Sequence, residues 1–139
     1  MIRETTLGEP IASGHRSRLP RRWRDKFKEA FRGAKRGVRG QSSFFVHFFF
    51  AALALAGAVA LECSLIEWCI LIFCIGGVLT AELFNSALET LFRGLDEDSR
   101  GRWHHCLDIS AGAVLIASLT ALVVGGLIFI SRLARLFAA

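Results

Sequence analysis

Three polar residues with the means to do chemistry sit in one short run, "AELFNSALETLF", at the end of a long apolar stretch: Glu82, Asn85 and Glu89. On a helix turning 100° per residue they project at about 0°, 300° and 340°, from one narrow face, and Glu82 and Glu89 stand about 10 Å apart along the axis. One carboxylate can then serve a reacting group while the other holds something beside it. Ionisable residues in a membrane segment are costly unless they face a bundle interior, water or a bound cation, so they are functional candidates by default. Hard oxygen ligands of this kind suit Mg²⁺, which binds through one or two carboxylates together with substrate phosphates. The competing structural reading places Glu89 at the wet interface and pairs Glu82 with His47 or a basic residue.

The elements that position this face follow from composition and charge. The chain has 139 residues, 53% of them hydrophobic, with twelve Phe and only two Pro; its mean hydropathy is +0.47. That describes one domain of apolar helices with more oily surface than a soluble domain of this size hides. Twelve of the seventeen Lys and Arg precede residue 41, as the positive-inside rule expects of a cytoplasmic flank. Nucleic acid is not an expected partner, because nothing in the chain resembles a fold that reads or stacks bases.

Residues 1–22 read as a flexible basic tail. Over 23–40, Trp23, Phe27, Ala30, Phe31, Ala34 and Val38 recur at three- and four-residue steps among Lys and Arg, which predicts an amphipathic helix on the membrane surface. Apolar runs then predict spans over about 44–61, 66–92 and 109–130, within one membrane domain, 23–137. The fold class expected is all-α and integral to the membrane, a surface helix followed by three transmembrane helices. Residues 93–108 read as a polar connection, with Asp108 as the N-cap of the third span. His104, His105 and Cys106 are neighbours in sequence and cannot easily converge on one tetrahedral ion. Cys63, Cys69, Cys74 and Cys106 lack paired metal-site spacing and read as packing residues.

These segments together carry a resemblance. "AELFNSALETLF", followed after a polar stretch by "LDISAGAVLIAS", resembles the small three-span prokaryotic diacylglycerol kinase family, which includes undecaprenol kinases. "FKEAFRGAKRGV" is similar to the family's entry helix, His47 falls where many members place a His, and "IEW" resembles the start of their second span. The resemblance implies a kinase of the bacterial inner membrane, with a cytoplasmic N-terminus and active sites between the protomers of a homotrimer. It would transfer the γ-phosphoryl group of ATP to the hydroxyl of a membrane lipid. By position, Glu82 would be the general base and Asn85 would help place the hydroxyl. Glu89 would bind Mg²⁺ with ATP, and Asp108 would belong to the nucleotide site. Gln41 stands at a second metal position where the family has Glu, offering an amide oxygen without the charge. Ser43, Phe45, Arg93 and Leu107 also depart from the pattern, Leu107 replacing a Lys. Two other readings remain open on the residues: a weakly active or inactive relative that serves as a membrane scaffold, and a small ion-conducting oligomer with Glu82 as relay.

Overall fold

A computed structural model describes residues 22–39 and 42–138. The tail expected over 1–22 lies outside the described residues except for Arg22, and so does Gln41. The described chain forms four helices and no strand: α1, Trp23–Val38; α2, Ser42–Ala60; α3, Leu65–Arg93; and α4, Glu97–Ala138. The last three are each long and apolar enough to cross a bilayer, with mean hydropathies of 2.0, 1.9 and 2.6 over their best windows.

The distribution of side chains is inverted relative to a water-soluble protein. Phe45, Phe73 and Leu65 are 79%, 82% and 80% exposed, whereas Glu82 is 2%, Ser86 1% and Ser110 8% exposed. Apolar atoms outside and polar atoms inside is the arrangement a hydrocarbon solvent selects, since lipid solvates Phe and Leu but satisfies no carboxylate or hydroxyl. The all-helical membrane fold expected from the sequence is therefore the one observed.

α1 buries none of its residues. Trp23, Phe27 and Phe31 form an outward stripe, all at least 70% exposed, and Asp25 in the first turn and Lys35 and Arg36 in the last complement the helix dipole. Its end touches α3 closely: a Cβ on Gly37 would lie 2.8 Å from Leu83 Cδ2, so glycine lets the surface helix rest on the bundle there.

α2 ends in a Schellman turn. The amide of Cys63 donates to the Ala58 carbonyl at 3.0 Å and that of Glu62 to Val59 at 3.1 Å, which places Glu62 at the left-handed position with φ of 48°. α3 starts at once. Ser64 caps it, its hydroxyl accepting from the Glu67 amide while the Glu67 carboxylate accepts from the Ser64 amide, a reciprocal capping box. The same carboxylate takes Arg132 of α4, whose Nε lies 3.0 and 2.8 Å from its two oxygens. One end of the α3–α4 hairpin is thus clamped.

At the other end the structure corrects the sequence reading. The polar connection is only Gly94–Asp96, and α4 runs without interruption from Glu97 to Ala138. Asp96 is the true cap: its Oδ2 accepts from the Ser99 amide at 3.3 Å. The bonds from Ser99 to its carboxylate hold the acid below its ordinary value of 3.8. Acids at 96–98 resemble a loop by composition, but Glu97 and Asp98 occupy a first turn, where the dipole favours negative charge. Asp108 is not a cap; it is an exposed mid-helix residue whose carboxylate lies 3.7 Å from His104 Nδ1, one turn earlier. At 1.5 Å per residue α3 and α4 measure about 43 and 63 Å, beyond the roughly 30 Å hydrocarbon core. Both therefore extend past it. All four cysteines are free, and Cys69 and Cys106 are exposed on the outer surface rather than packed inside.

Candidate active site

The polar face of α3 lies where this helix meets α2 and α4. Four helical turns after the clamp, Glu82 turns into the bundle; its Oε2 is 3.8 Å from Nε2 of His47 on α2. Phe44, one turn before His47, is 2% exposed, its ring 6.0 Å from that of Phe48. The second carboxylate oxygen of Glu82, Oε1, is buried and has no hydrogen-bond partner among the described residues. An unmatched buried oxygen of this kind costs about 1–3 kcal/mol, more when charged, and native structures keep few of them without a use.

Asn85, 9% exposed, is tied on both sides. Its Nδ2 donates to Glu89 Oε1 at 3.0 Å, and its Oδ1 accepts from the Ser110 hydroxyl of α4 at 2.7 Å. The orientation of the amide is forced, because an ionised carboxylate only accepts. Ser110 also lies 2.9 Å from the Leu107 carbonyl, so its single proton is shared between two acceptors. Between α3 and α4 at this level runs an open groove of about 460 Å³; Phe84, Leu88, Ile109 and Ala113 wall it, and Asn85 and Ser110 supply its polar atoms.

Glu89 lies further out, its side chain 39% exposed, with Arg93 Nη2 3.5 Å from Oε2. Arg100 of α4 donates to the Arg93 carbonyl at 2.6 Å, and the Phe92 and His104 rings meet edge-on at 6.1 Å. These contacts fix the wet end of α3 against the start of α4.

The structure thus brings Asn85 and Glu89 together and gives Glu82 a separate neighbour. On this face a buried carboxylate and an exposed one flank an amide, which ties the exposed one to α4. Asp108 stands on α4 two residues before Ser110, facing out. Ser110 was not legible as a site residue. One of two hydroxyls in "LDISAGAVLIAS" is the only trace it leaves, and only helix pairing shows which amide it meets. The Glu67–Arg132 pair was missed as well, since its members are 65 residues apart.

Glu89 offers hard oxygens at the exposed end of the face, which fits a divalent ion that arrives with phosphates. Among the described residues no three His, Cys, Asp or Glu side chains converge as a preformed metal cage.

Three helices long and apolar enough to cross a membrane, with one carboxylate buried among them and a second exposed near the end of the same helix, define a multi-pass membrane protein with polar groups inside its bundle. Residues 28–129 match the prokaryotic diacylglycerol kinase family, and the chain belongs to it, a multi-pass membrane lipid kinase. It is 31% identical over 119 residues to the undecaprenol kinase of Bacillus subtilis (strain 168), in an alignment covering 86% of this chain and 96% of that relative. No solved structure matches it.

Proposed function

We propose that this enzyme transfers the γ-phosphoryl group of ATP to the hydroxyl of a polyprenol or diacylglycerol at the cytoplasmic face of the inner membrane, with undecaprenol the preferred acceptor. The observation that carries the proposal is the buried Glu82 oxygen without a partner, on the same helix face as the exposed Glu89. A proton acceptor in a water-poor site and a ligand in the wet zone are the two parts that phosphoryl transfer to a lipid needs. The reaction asks for alignment and charge neutralisation more than covalent chemistry.

Glu82 takes the hydroxyl proton as general base. Asn85, fixed by Ser110 and Glu89, places the hydroxyl. Glu89 is a Mg²⁺ ligand; Gln41, outside the described residues, is a second, and Asp108 belongs to the nucleotide site. These residues would hold Mg²⁺ together with ATP, and the ion would supply charge neutralisation during the transfer. Undecaprenol is favoured by the relative's activity and by the groove: apart from Asn85 and Ser110 its walls are apolar, which suits a lipid whose single polar group is its hydroxyl.

A cytoplasmic N-terminus is supported by the twelve basic residues before α2. Arg132 and Arg135, near the end of α4, oppose it with two residues against twelve. The working unit is a homotrimer, on the strength of the family resemblance.

The test is phosphorylation in mixed micelles with Mg²⁺ and radiolabelled ATP, undecaprenol and diacylglycerol assayed side by side. Label enters undecaprenol faster. Label in neither lipid, from protein shown to be folded, would replace this reading with that of a membrane scaffold.

A further inference from the structure

We infer that His47 is a positioning residue for the base: its imidazole holds Oε2 of Glu82, so that Oε1 is the oxygen that receives the lipid proton. This rests on the reading of Glu82 as base.

The two oxygens of Glu82 have different surroundings. Oε2 faces His47 Nε2 at 3.8 Å, in a pair whose side chains are 19% and 3% exposed. Oε1 faces no donor among the described residues. A purely structural ion pair would satisfy both oxygens, as happens at Glu67, where Ser64 and Arg132 supply donors. At Glu82 one oxygen is held loosely and the other waits for a donor. In an apolar site the donor that fits is an uncharged hydroxyl, which enters from the bilayer without bringing a charge with it.

The chemistry of the ring selects its form. A carboxylate accepts only, so the neutral imidazole that holds it carries its proton on Nε2. At 3.8 Å the contact exceeds a hydrogen bond by less than about 1 Å, a gap that a small rotation of the side chain closes, and catalytic contacts often tighten only when substrate binds. His47 then restricts the rotation of the carboxylate about its terminal torsion, which is otherwise broad. In the reacting arrangement the lipid O–H bond breaks and its proton passes to Oε1. The hydroxyl oxygen forms the new bond to the γ-phosphorus, and the bond to the bridging oxygen breaks with its electron pair leaving on ADP. Glu82 later releases the proton to water. His47 keeps its proton throughout, so its contribution is geometric.

Two substitutions in the full chain separate this from a packing role. His47→Leu suits an apolar span but removes the donor; it lowers kcat by about 100-fold, the scale of a misplacement of roughly 1 Å, while KM for lipid and ATP stays within about twofold. His47→Gln restores an N–H donor of similar reach and recovers most of that loss. Side-chain ¹⁵N NMR of the protein in micelles gives a readout independent of turnover. His47 is expected as the Nε2–H tautomer in the wild type, with that preference lost in Glu82→Ala. Wild-type kcat in His47→Leu, or no recovery in His47→Gln, overturns the inference, as does the Nδ1–H tautomer. An inactive Glu82→Gln beside a fully active His47→Leu would sink the role of His47 and leave the base standing. A fully active Glu82→Gln would sink the base reading itself.

Discussion

Two glutamates on the same helix, fifteen residues apart, are treated in opposite ways. Glu67 is saturated: the Ser64 amide and hydroxyl donate to it at 2.7 Å each, Arg132 approaches both oxygens, and Arg135 lies 3.7 Å away. Glu82 is more deeply buried, has a single imidazole beyond hydrogen-bond distance and keeps one oxygen unmatched. A carboxylate surrounded by donors serves as a fastener. One left short of donors in a dry site is stabilised only when something brings a proton to it. The difference is sharpest in the largest effect expected: Glu82→Gln lowers kcat for lipid phosphorylation by about 10²–10⁴-fold, the range for loss of a general base. The neutral amide removes a buried charge, so the thermal midpoint holds or rises. A fall in both activity and midpoint would make Glu82 a second fastener and erase the contrast.

Between these extremes lies the Asn85–Ser110 bond, which joins the polar face of α3 to α4. Ser110→Ala leaves Asn85 Oδ1 without its donor in a buried place, a loss of about 1–3 kcal/mol in stability. The amide is then free to turn, and kcat should fall by about tenfold, less than for the base because the placement is loosened and not lost. Parallel assays of turnover and thermal unfolding distinguish this from Glu82→Gln, in which only turnover falls.

The contrast also marks how far the sequence could be read. The spans were legible because a bilayer selects long apolar runs regardless of their partners, and Glu82, Asn85 and Glu89 were legible because the 100° helical step places them on one face. Partnership was not legible. Nothing local in "LECSLIEW" shows that Glu67 meets Arg132, and nothing in "LDISAG" shows that Ser110 meets Asn85, because each depends on how α3 and α4 are staggered. The connection at 93–108 misled for a different reason: an acidic run is the composition of a loop and equally of a helix's first turn. What decides between them is the bond from the Ser99 amide to Asp96, which a sequence shows only as a residue three places on.

The clamp itself predicts the reverse signature of the active face. Glu67→Ala removes the capping partner of Ser64 and leaves Arg132 without its acceptor, so the thermal midpoint falls by several degrees, while kcat of the protein that remains folded stays within about twofold, since the lost contacts lie far from the reacting groups. A loss of turnover larger than the loss of folded protein would couple the two ends of α3 and weaken the division drawn between them.

A smaller effect is expected at the turn by the wet end. Bonds from Ser99 stabilise the ionised form of Asp96, so its folded-state value lies below the ordinary 3.8. A group depressed in this way adds stability that is complete above its unfolded value and is lost as pH falls through the folded one. As pH falls through 3.8 and below, the wild type should therefore lose stability that Asp96→Asn does not, because asparagine caps a helix without titrating. Thermal midpoints of the two proteins across that range measure it; parallel curves would remove the cap from the account of α4.

The smallest change belongs to the corner that leads into the clamp. Glu62 is the one non-glycine residue at positive φ among the described residues, and an L side chain in the left-handed region costs about 1–2 kcal/mol. Glycine adopts that conformation freely but loses more entropy on folding, so Glu62→Gly recovers only part of the cost, a gain of about 0.5–1 kcal/mol. The gain should appear as a raised thermal midpoint with turnover unchanged. Because this corner sets the angle at which Ser64 starts α3, the gain depends on the capping box being intact and should shrink in a Glu67→Ala background. If the two changes instead add independently, the turn and the clamp are separate fasteners, and the clamped end of the hairpin is held twice over while Glu82 is held by a single loose contact.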